Sequence, residues 1–528
     1  MRSTVGYPSV ENDGREITLK LTRTALPTAI GILFCAASAA AQATPVQLWI
    51  TTSDDAGIVK GLEQQPDLAF GADSNTAEAV IDLDDTKQFQ AMIGGGASLT
   101  DGAAWLINEK LSPVQRDEVM RRLFDPREGI GLSFLRNPMG SSDLTRKWYT
   151  YDDDASDKAD PSLPHFSIDH DRADVLPLTK WARRLNPDLT LMMNPWSPPA
   201  WMKSSGSLVA GGVLPEYYAH DVNYFVKTIQ AYEAEGVHID YVTMNNEPTC
   251  CIDINYPSVR TVTSDDMIAM LKNYWFPAFQ ANHLTTKILL LDFNWGNADL
   301  LEPLLQDPAI RNSPFVGGVA WHGYGGDVSV QSTFHDRYGL DAFLTERSGF
   351  TIGSRQQKMD FRLMVGEFRN WGKSLVLWPV ATDENFGPHV GGCDRCTGLV
   401  MIHTSDAYAG RVDYGIQYYT MGHFTKFVRK GAYRIDSTAS ADILNVAFKN
   451  PDGSIVLIAY NDTDKPQSFR VRWRSQSFNY TLPVNTSAVS YTHLGSRVLG
   501  KTQLPLASMP LRSIRNTLSG SSCLPEYR

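Results

Sequence analysis

The chain has 528 residues, of which 43% are hydrophobic and 20% charged, with a formal net charge of −10 at pH 7. This length exceeds that of a usual single-core domain and predicts two domains, or one large barrel with an accessory domain. The acidic balance argues against nucleic acid or an anionic membrane surface as partner. The 12 tryptophans suit stacking against sugar rings, and they equally suit the core of a large domain.

The N-terminus has the pattern of an export signal. Lys20 and Arg23 precede the apolar run ALPTAIGILFCAASAAA (25–41), and Ala41-Gln42-Ala43 has the small-x-small form of a cleavage site. We predict that residues 1–43 are a signal peptide, removed after Ala43, and that the mature protein is periplasmic or extracellular. No other window reaches 18 apolar residues, so the mature chain is predicted to lack an integral membrane segment.

Five cysteines follow the leader: Cys250, Cys251, Cys393, Cys396 and Cys523. Export permits disulfides, and the spacing in GGCDRC (391–396) allows Cys393 and Cys396 to close a short loop. Two adjacent cysteines are poorly placed to bind one ion, so neither a metal nor a cofactor is predicted. The other pairings and the oligomeric state stay open.

Short strands begin the mature chain. VQLWITT (46–52) and AEAVIDLDD (77–85) have strand composition, and the segment between them is interpreted as a polar connector. These strands, assigned to residues 44–88, are too few to fold alone.

Residues 89–429 have a different sequence pattern, in which apolar strands alternate with helical segments. The helix at 218–236 is the clearest, with an apolar face and Gly236 as its stop. The eight strand candidates are 89–99, 131–140, 189–199, 239–248, 287–295, 316–326, 341–349 and 373–381. Eight apolar strands, each leading into a helix, predict a parallel (β/α)8 barrel. The rival, a doubly wound open sheet, is disfavoured because IGGGASLTDG lacks the GxGxxG register of a nucleotide site.

From residue 430 to 528 the pattern becomes β-like again. Five runs have strand composition and are separated by turn signals such as Pro451-Asp452-Gly453. We predict a small β-sandwich that the N-terminal strands complete.

Nine polar or aromatic residues fall near the C-terminal ends of the proposed barrel strands. They are Asp101, Arg136, Trp196, Asn246, Glu247, His322, Tyr324, Glu346 and Trp378. Active sites of (β/α)8 barrels are built at this face. Any one of these residues alone is more simply a loop or packing residue, but their shared placement indicates a polar ligand site.

Glu247 ends the fourth strand and Glu346 the seventh, so the two carboxylates are expected to converge across the barrel. A retaining glycosidase uses such a pair as nucleophile and acid/base. Asn246 is placed to hydrogen-bond a sugar hydroxyl. Glu367 is a rival nucleophile, but its surroundings (353–371) have helical spacing, which favours Glu346.

Several segments together resemble glycoside hydrolase family 30, which includes glucosylceramidases, endo-β-1,6-glucanases and a xylan-acting branch. They are GGGASLTDGAA, NPWSPPAWMKSSGSL, TMNNEP, FLTERSG and YYTMGHFTKFVRKGAYRI. The resemblance covers residues 46–493. It implies a (β/α)8 barrel fused to a β-sandwich from both termini, and a retaining hydrolase of β-glucosidic bonds.

The resemblance also implies roles for individual residues. Glu247 matches the acid/base and Glu346 the nucleophile, while Arg136 matches an arginine that helps keep Glu346 ionised. The substrate-binding matches are Asp101, Trp196, Asn246, Tyr324 and Trp378, with His322 as a hydrogen-bonding neighbour. The sequence departs from the family at GGGA, where an aromatic residue is common between glycines, and at Pro379, where asparagine is common.

The predicted partner is a β-glucoside or β-glucan, including a glycolipid. The segment 387–402 favours the β-1,6-glucanase branch, glucosylceramide stays open, and xylan ranks third. Two other classes remain: an inactive carbohydrate-binding barrel and a metal-dependent hydrolase. The latter needs a cluster of histidines and aspartates and is disfavoured because His322 is isolated in the sequence.

Overall fold

The computed structural model describes residues 44–73, 79–249, 255–260 and 262–492. The predicted signal peptide and Cys250, Cys251 and Cys523 lie outside these residues. Within them, no helix is both long and apolar enough to cross a membrane.

The N-terminal strands differ in one respect from the prediction, because the supposed connector contains a long strand. The strands are β1 (Pro45–Asp54), β2 (Gly57–Ala69), β3 (Gly71–Ala72) and β4 (Ala79–Ala91). β2 pairs antiparallel with β1 through a tight turn at Asp54–Gly57. Its polar, largely exposed sequence hides it from a hydrophobic-pattern search, because it is the edge strand of its sheet.

The predicted barrel is confirmed: eight parallel strands close on themselves, so the doubly wound alternative is wrong. They are β5 (Gly94–Ser98), β6 (Phe134–Pro138), β7 (Thr190–Asn194), β8 (Tyr241–Val242), β9 (Lys287–Asn294), β10 (Val316–His322), β11 (Ala342–Glu346) and β12 (Gly372–Leu377). The first barrel strand starts at Gly94 and not at Phe89, because the preceding residues still pair with the sandwich.

Helices surround this barrel. They are α1 (Asp101–Glu109), α2 (Pro113–Phe124), α3 (Asp169–Ala173), α4 (Val175–Leu185), α5 (Tyr218–Ala234), α6 (Ser264–Met270), α7 (Phe276–Ala281), α8 (Ala298–Gln306), α9 (Pro308–Arg311), α10 (Val330–Tyr338), α11 (Gly353–Arg369) and α12 (Ile416–Thr425). The predicted helix at 218–236 is α5. Gly236 follows it with φ +76°, the left-handed conformation that ends helices.

The remaining strands form a small sheet beside the barrel and most of the sandwich. They are β13 (Ala381–Thr382), β14 (Val400–Ile402), β15 (Val412–Tyr414), β16 (Tyr433–Ser437), β17 (Ile443–Lys449), β18 (Ile455–Asn461), β19 (Gln467–Trp473), β20 (Gln476–Leu482) and β21 (Thr486–Thr492). β1 pairs with β21, and β4 lies between β16 and β19. The N-terminal strands thus complete the sandwich, as predicted.

Six buried apolar side chains, one from each of six barrel strands, fill the barrel interior. They are Phe134, Met192, Leu289, Ala320, Phe343 and Val376. Side chains of a strand return to the same face every second residue, so the residues two positions further on continue inward at the C-terminal end. Five of those positions hold Arg136, Asn194, His322, Thr345 and Trp378. The interior therefore changes from apolar to polar at the face where the site was predicted.

Candidate active site

Glu247 and Glu346 meet at the C-terminal end of the barrel. One carboxylate oxygen of each lies within 4.8 Å of the other and of a ring nitrogen of His322. Strands β8 and β11 are separated by β9 and β10, so the carboxylates converge from strands three places apart and not from directly opposite ones. Glu247 has φ +45°, and its backbone N–H donates to the Asp292 carbonyl at 3.0 Å. The backbone bend at this position is thus fixed by β9.

Arg136 is fully buried beneath this pair and connects three strand ends. Its Nη1 donates to Glu346 Oε2 at 2.6 Å. Its Nη2 donates to Asn246 Oδ1 at 2.7 Å and to Asp292 Oδ2 at 3.0 Å. Because Asn246 uses its oxygen toward Arg136, its amide nitrogen is left to donate.

His322 bridges two carboxylates. Its Nδ1 lies 3.1 Å from Glu247 Oε1, and its Nε2 lies 3.1 Å from Asp292 Oδ1. Burial alone would lower the pKa of His322. The carboxylates of Glu346, Asp292 and Glu247 outweigh burial and raise this pKa to about 9. The imidazole is therefore protonated at neutral pH and donates from both nitrogens.

Glu346 is held by Tyr324 as well as by Arg136. The Tyr324 hydroxyl donates to Glu346 Oε1 at 2.8 Å, opposite the Arg136 contact on Oε2. Burial raises the pKa of Glu346, and Glu247 adds to that effect, while the charges of His322 and Arg136 oppose it. Arg136 thus acts in the predicted direction, although burial has the larger influence.

Asp292 is a site residue that sequence reasoning missed. It is fully buried and accepts from Arg136, His322 and the hydroxyls of Thr243 and Thr345, each of the latter at 2.8 Å. Burial alone would raise the pKa of Asp292. Arg136, His322 and Thr345 outweigh burial and hold this pKa well below its usual range. The signal was visible in the sequence: a single acid interrupts the apolar strand KILLLDFNW (287–295).

Asp143 is a second residue that was missed. It is buried and accepts backbone N–H groups from Leu144 at 2.8 Å and from Cys393 at 3.2 Å. Burial and the charges of Glu346 and Glu247 raise the pKa of Asp143 to about 7. It joins the loop after β6 to the cysteine-containing loop, a contact that the sequence pattern does not reveal.

Trp196 and Trp378 stack on each other, with ring centroids 5.1 Å apart, and both are buried. Arg136 lies 5.6 Å from the Trp378 ring centroid, so this aromatic pair borders the carboxylate cluster. Leu144 and Cys396 pack with the two indoles.

The disulfide that the spacing allowed, between Cys393 and Cys396, is present. Ser348 Oγ lies 3.1 Å from Cys396 Sγ and 3.0 Å from the Tyr324 hydroxyl.

Asp101 belongs to a neighbouring set of charges. It accepts from Arg146 Nη2 at 2.7 Å and faces His170 Nε2 at 2.9 Å. Burial alone would raise the pKa of Asp101. His170 and Arg146 outweigh burial and hold this pKa well below its usual range. The structure therefore fixes Asp101 as a carboxylate beside the site, whereas the other predicted residues lie in or against the central cluster.

Glu367 lies on α11, as predicted, near the start of β12 and thus at the opposite end of that strand from Trp378. Its buried carboxyl group lies against Gly372, the first residue of β12, and so is at the other end of the barrel from the Glu247–Glu346 pair.

Glu247, His322 and Glu346 are spaced closely enough to bind a metal ion. A protonated imidazole has no free lone pair, however, and metal ligation needs the neutral form. Arg136 and Tyr324 also donate to the two oxygens of Glu346, so the carboxylate is already hydrogen-bonded within the protein.

A closed (β/α)8 barrel with paired glutamates at its C-terminal face defines the class of barrel glycosidases. Residues 92–369 match the model of the glycosyl hydrolase family 30 TIM-barrel domain, and residues 431–491 match that of the family 30 beta sandwich domain.

Relatives that the chain resembles include endo-1,6-beta-glucanases and glucosylceramidases. An endo-1,6-beta-D-glucanase of Neurospora crassa is 32% identical over 406 residues, covering 74% of this chain and 82% of the relative. Mouse lysosomal acid glucosylceramidase is 26% identical over 422 residues, covering 74% and 79%. The solved structure of an endo-beta1,6-glucanase superimposes with a TM-score of 0.75 at 27% identity, covering 84% of this chain and 99% of that one. The chain belongs to glycoside hydrolase family 30 and is an O-glycosyl hydrolase, which confirms the resemblance.

Proposed function

We propose that this protein is an exported, retaining hydrolase of β-1,6-linked glucan. The observation that carries the proposal is the proximity of Glu247 and Glu346, whose nearest carboxylate oxygens lie within 4.8 Å. Retaining glycosidases hold their two carboxyl groups about 5–5.5 Å apart, whereas inverting enzymes leave room for a water molecule at about 6.5–9.5 Å. The short separation therefore favours direct attack by one carboxylate.

The environments of the two glutamates support different roles for them. Glu346 accepts from Arg136 and Tyr324, so it is oriented as the nucleophile that bonds to the anomeric carbon. Glu247 donates a proton to the leaving oxygen as the glycosidic bond breaks. In the second step Glu247 takes a proton from water, whose oxygen displaces Glu346 and restores the original anomeric configuration. His322, protonated between Glu247 and Asp292, limits the build-up of negative charge in this cluster.

Two hydrogen-bond donors suit a sugar substrate. The indole N–H of Trp196 is buried and has no acceptor in the part of the chain that the structure describes. A buried donor without a partner is costly, and a sugar hydroxyl would supply the acceptor. The Asn246 amide nitrogen is the second donor, next to the acid/base.

Similarity to endo-1,6-beta-glucanases supports the choice of glucan. The relatives from Neurospora crassa and Trichoderma harzianum are 32% and 31% identical to this chain, against 26% for the mouse glucosylceramidase. The cysteine loop at 391–396 supports the same branch. The N-terminal leader pattern supports export.

The test is product analysis by proton NMR during hydrolysis of β-1,6-glucan, with glucosylceramide, β-xylan and an aryl β-glucoside in parallel. We expect β-anomeric oligosaccharides to be released first from β-1,6-glucan, before mutarotation. Initial release of the α-anomer would reject retention. Cleavage of glucosylceramide or xylan alone would reject the proposed substrate, and cleavage of none of the four would reject the activity.

A further inference from the structure

We propose that Arg347 and Phe350 form a subsite for a second glucosyl unit of the glucan chain, next to the unit that is attacked. This inference rests on the proposed function and adds residues to which neither the sequence pattern nor the family resemblance gave a role. Both residues lie on the loop that follows the Glu346 strand end.

The geometry connects this loop directly to the nucleophile. The Tyr324 hydroxyl donates to Glu346 at 2.8 Å. The Arg347 guanidinium carbon lies 5.1 Å from the Tyr324 ring centroid and 5.3 Å from that of Phe350. The Tyr324 and Phe350 centroids are 6.2 Å apart. These three side chains therefore form a continuous wall from the reacting carboxylate to the protein surface.

The loop is fixed on both sides. Thr397 N–H donates to the Gly349 carbonyl at 2.9 Å, which connects the loop to the segment after the disulfide. The Gln356 side-chain oxygen accepts from Phe350 N–H at 3.2 Å and from Thr351 N–H at 3.3 Å. Yet Phe350 remains 40% exposed. The Phe350 ring is exposed and so contributes little to packing of the core. Because the loop is held by hydrogen bonds, the ring loses little conformational entropy when a ligand stacks on it.

Arg347 supplies the polar half of the subsite. Among residues 44–73, 79–249, 255–260 and 262–492, no hydrogen bond or ion pair occupies its guanidinium, which is only partly buried. Five N–H donors beside a ring face suit a neutral ligand with one apolar C–H face and hydroxyl groups around its edge. A hexopyranose unit has this chemistry, whereas a lipid chain would leave the donors unpaired.

The experiment measures kcat/KM for β-1,6-linked glucose oligomers of two, three, four and five units. For the wild type we expect kcat/KM to rise with chain length as the additional unit reaches the wall. In Phe350→Ala we expect this gain to shrink about tenfold, the size of a lost aromatic contact. Phe350→Tyr should preserve the gain in kcat/KM with chain length. Phe350→Leu keeps an apolar side chain of similar size, so it should fold, and it should lose this gain. Arg347→Gln should reduce it in the same way.

The matched control is Tyr433→Ala, because Tyr433 is an aromatic residue of similar exposure, 43%, on the sandwich strand β16. It should keep the wild-type dependence on chain length. Equal losses at every chain length in Phe350→Ala, or loss only with glucosylceramide micelles, would overturn the subsite. A wild type that cleaves none of the oligomers would instead reject the proposed function, so the two failures are distinguishable.

Discussion

His322 and Asp292 form a fully buried pair in which Nε2 lies 3.1 Å from Oδ1, and this pair sets the charge beneath the two catalytic candidates. The pair connects a predicted residue to one that was not predicted. Because Asp292 also accepts from Arg136, one carboxylate orients both cations of the site.

Asp292→Asn should shift the pH profile of the enzyme. Asp292 is one of the carboxylates that raise the pKa of His322 to about 9, so its removal lets His322 lose its proton at lower pH. We expect the basic limb of the kcat/KM profile to move toward neutral pH and kcat to fall roughly tenfold to a hundredfold. Asp299→Asn, an exposed acid on α8, is the control and should retain the wild-type profile. A basic limb that stays in place would show that Asp292 has only a packing role.

Glu346→Gln and Glu367→Gln should separate the two possible nucleophiles. A glutamine amide in place of the Glu346 carboxylate cannot attack the anomeric carbon, so turnover should fall by at least about 10⁴-fold. Glu367 is buried on α11, away from the strand ends, and Glu367→Gln should retain hydrolysis. Steady-state rates on an aryl β-glucoside measure both. Activity lost in Glu367→Gln but kept in Glu346→Gln would reverse the assignment.

Glu367→Gln should also stabilise the protein at higher pH. Burial raises the pKa of Glu367 from 4.5 to about 8. Between these values the folded state keeps a proton that the unfolded state releases, so folding stability falls as pH rises, by about 1.4 kcal/mol per unit. The neutral glutamine removes this fall. We expect a gain on the order of 4 kcal/mol at pH 8 and little gain at pH 5, measured by urea unfolding. A gain of the same size at both pH values would contradict the prediction.

Reduction of the Cys393–Cys396 disulfide should lower activity more than stability. Ser348 lies between Cys396 and Tyr324, which donates to Glu346, and Cys393 N–H donates to Asp143. Loosening this loop should reduce kcat/KM about tenfold by misplacing Glu346. The closed loop is short, so the loss in unfolding free energy should be at most about 2 kcal/mol.

The control for this experiment is the double variant Cys393→Ser/Cys396→Ser. It should have the activity of the reduced wild type and should not respond to added reductant. A reductant effect that persists in the double variant would assign the effect to other cysteines.

The regular part of the fold was predictable because each barrel strand is buried on both sides. Segments such as KILLLDFNW (287–295) and AFLT (342–345), which precedes Glu346, are mostly apolar for that reason, and the pattern identifies them without tertiary information. The β2 strand was not predictable, because an edge strand with one exposed face has no such pattern. The start of β5 was misplaced for a related reason: the sandwich pairing of residues 89–91 comes from β16, about 340 residues later in the chain.

The sequence by itself placed Glu247 and Glu346 at the C-terminal face of one barrel, because barrel topology brings the C-terminal strand ends together; in the structure Glu346 ends β11, whereas Glu247 lies in the segment that follows β8 (Tyr241–Val242). Only the tertiary structure decided which neighbours set their charge. The contacts made by Asp292, by Asp143 and by Phe350 with its neighbours depend on distances between segments that lie far apart in the chain. Hydrogen bonding and burial act over a few ångströms of space, without regard to sequence separation.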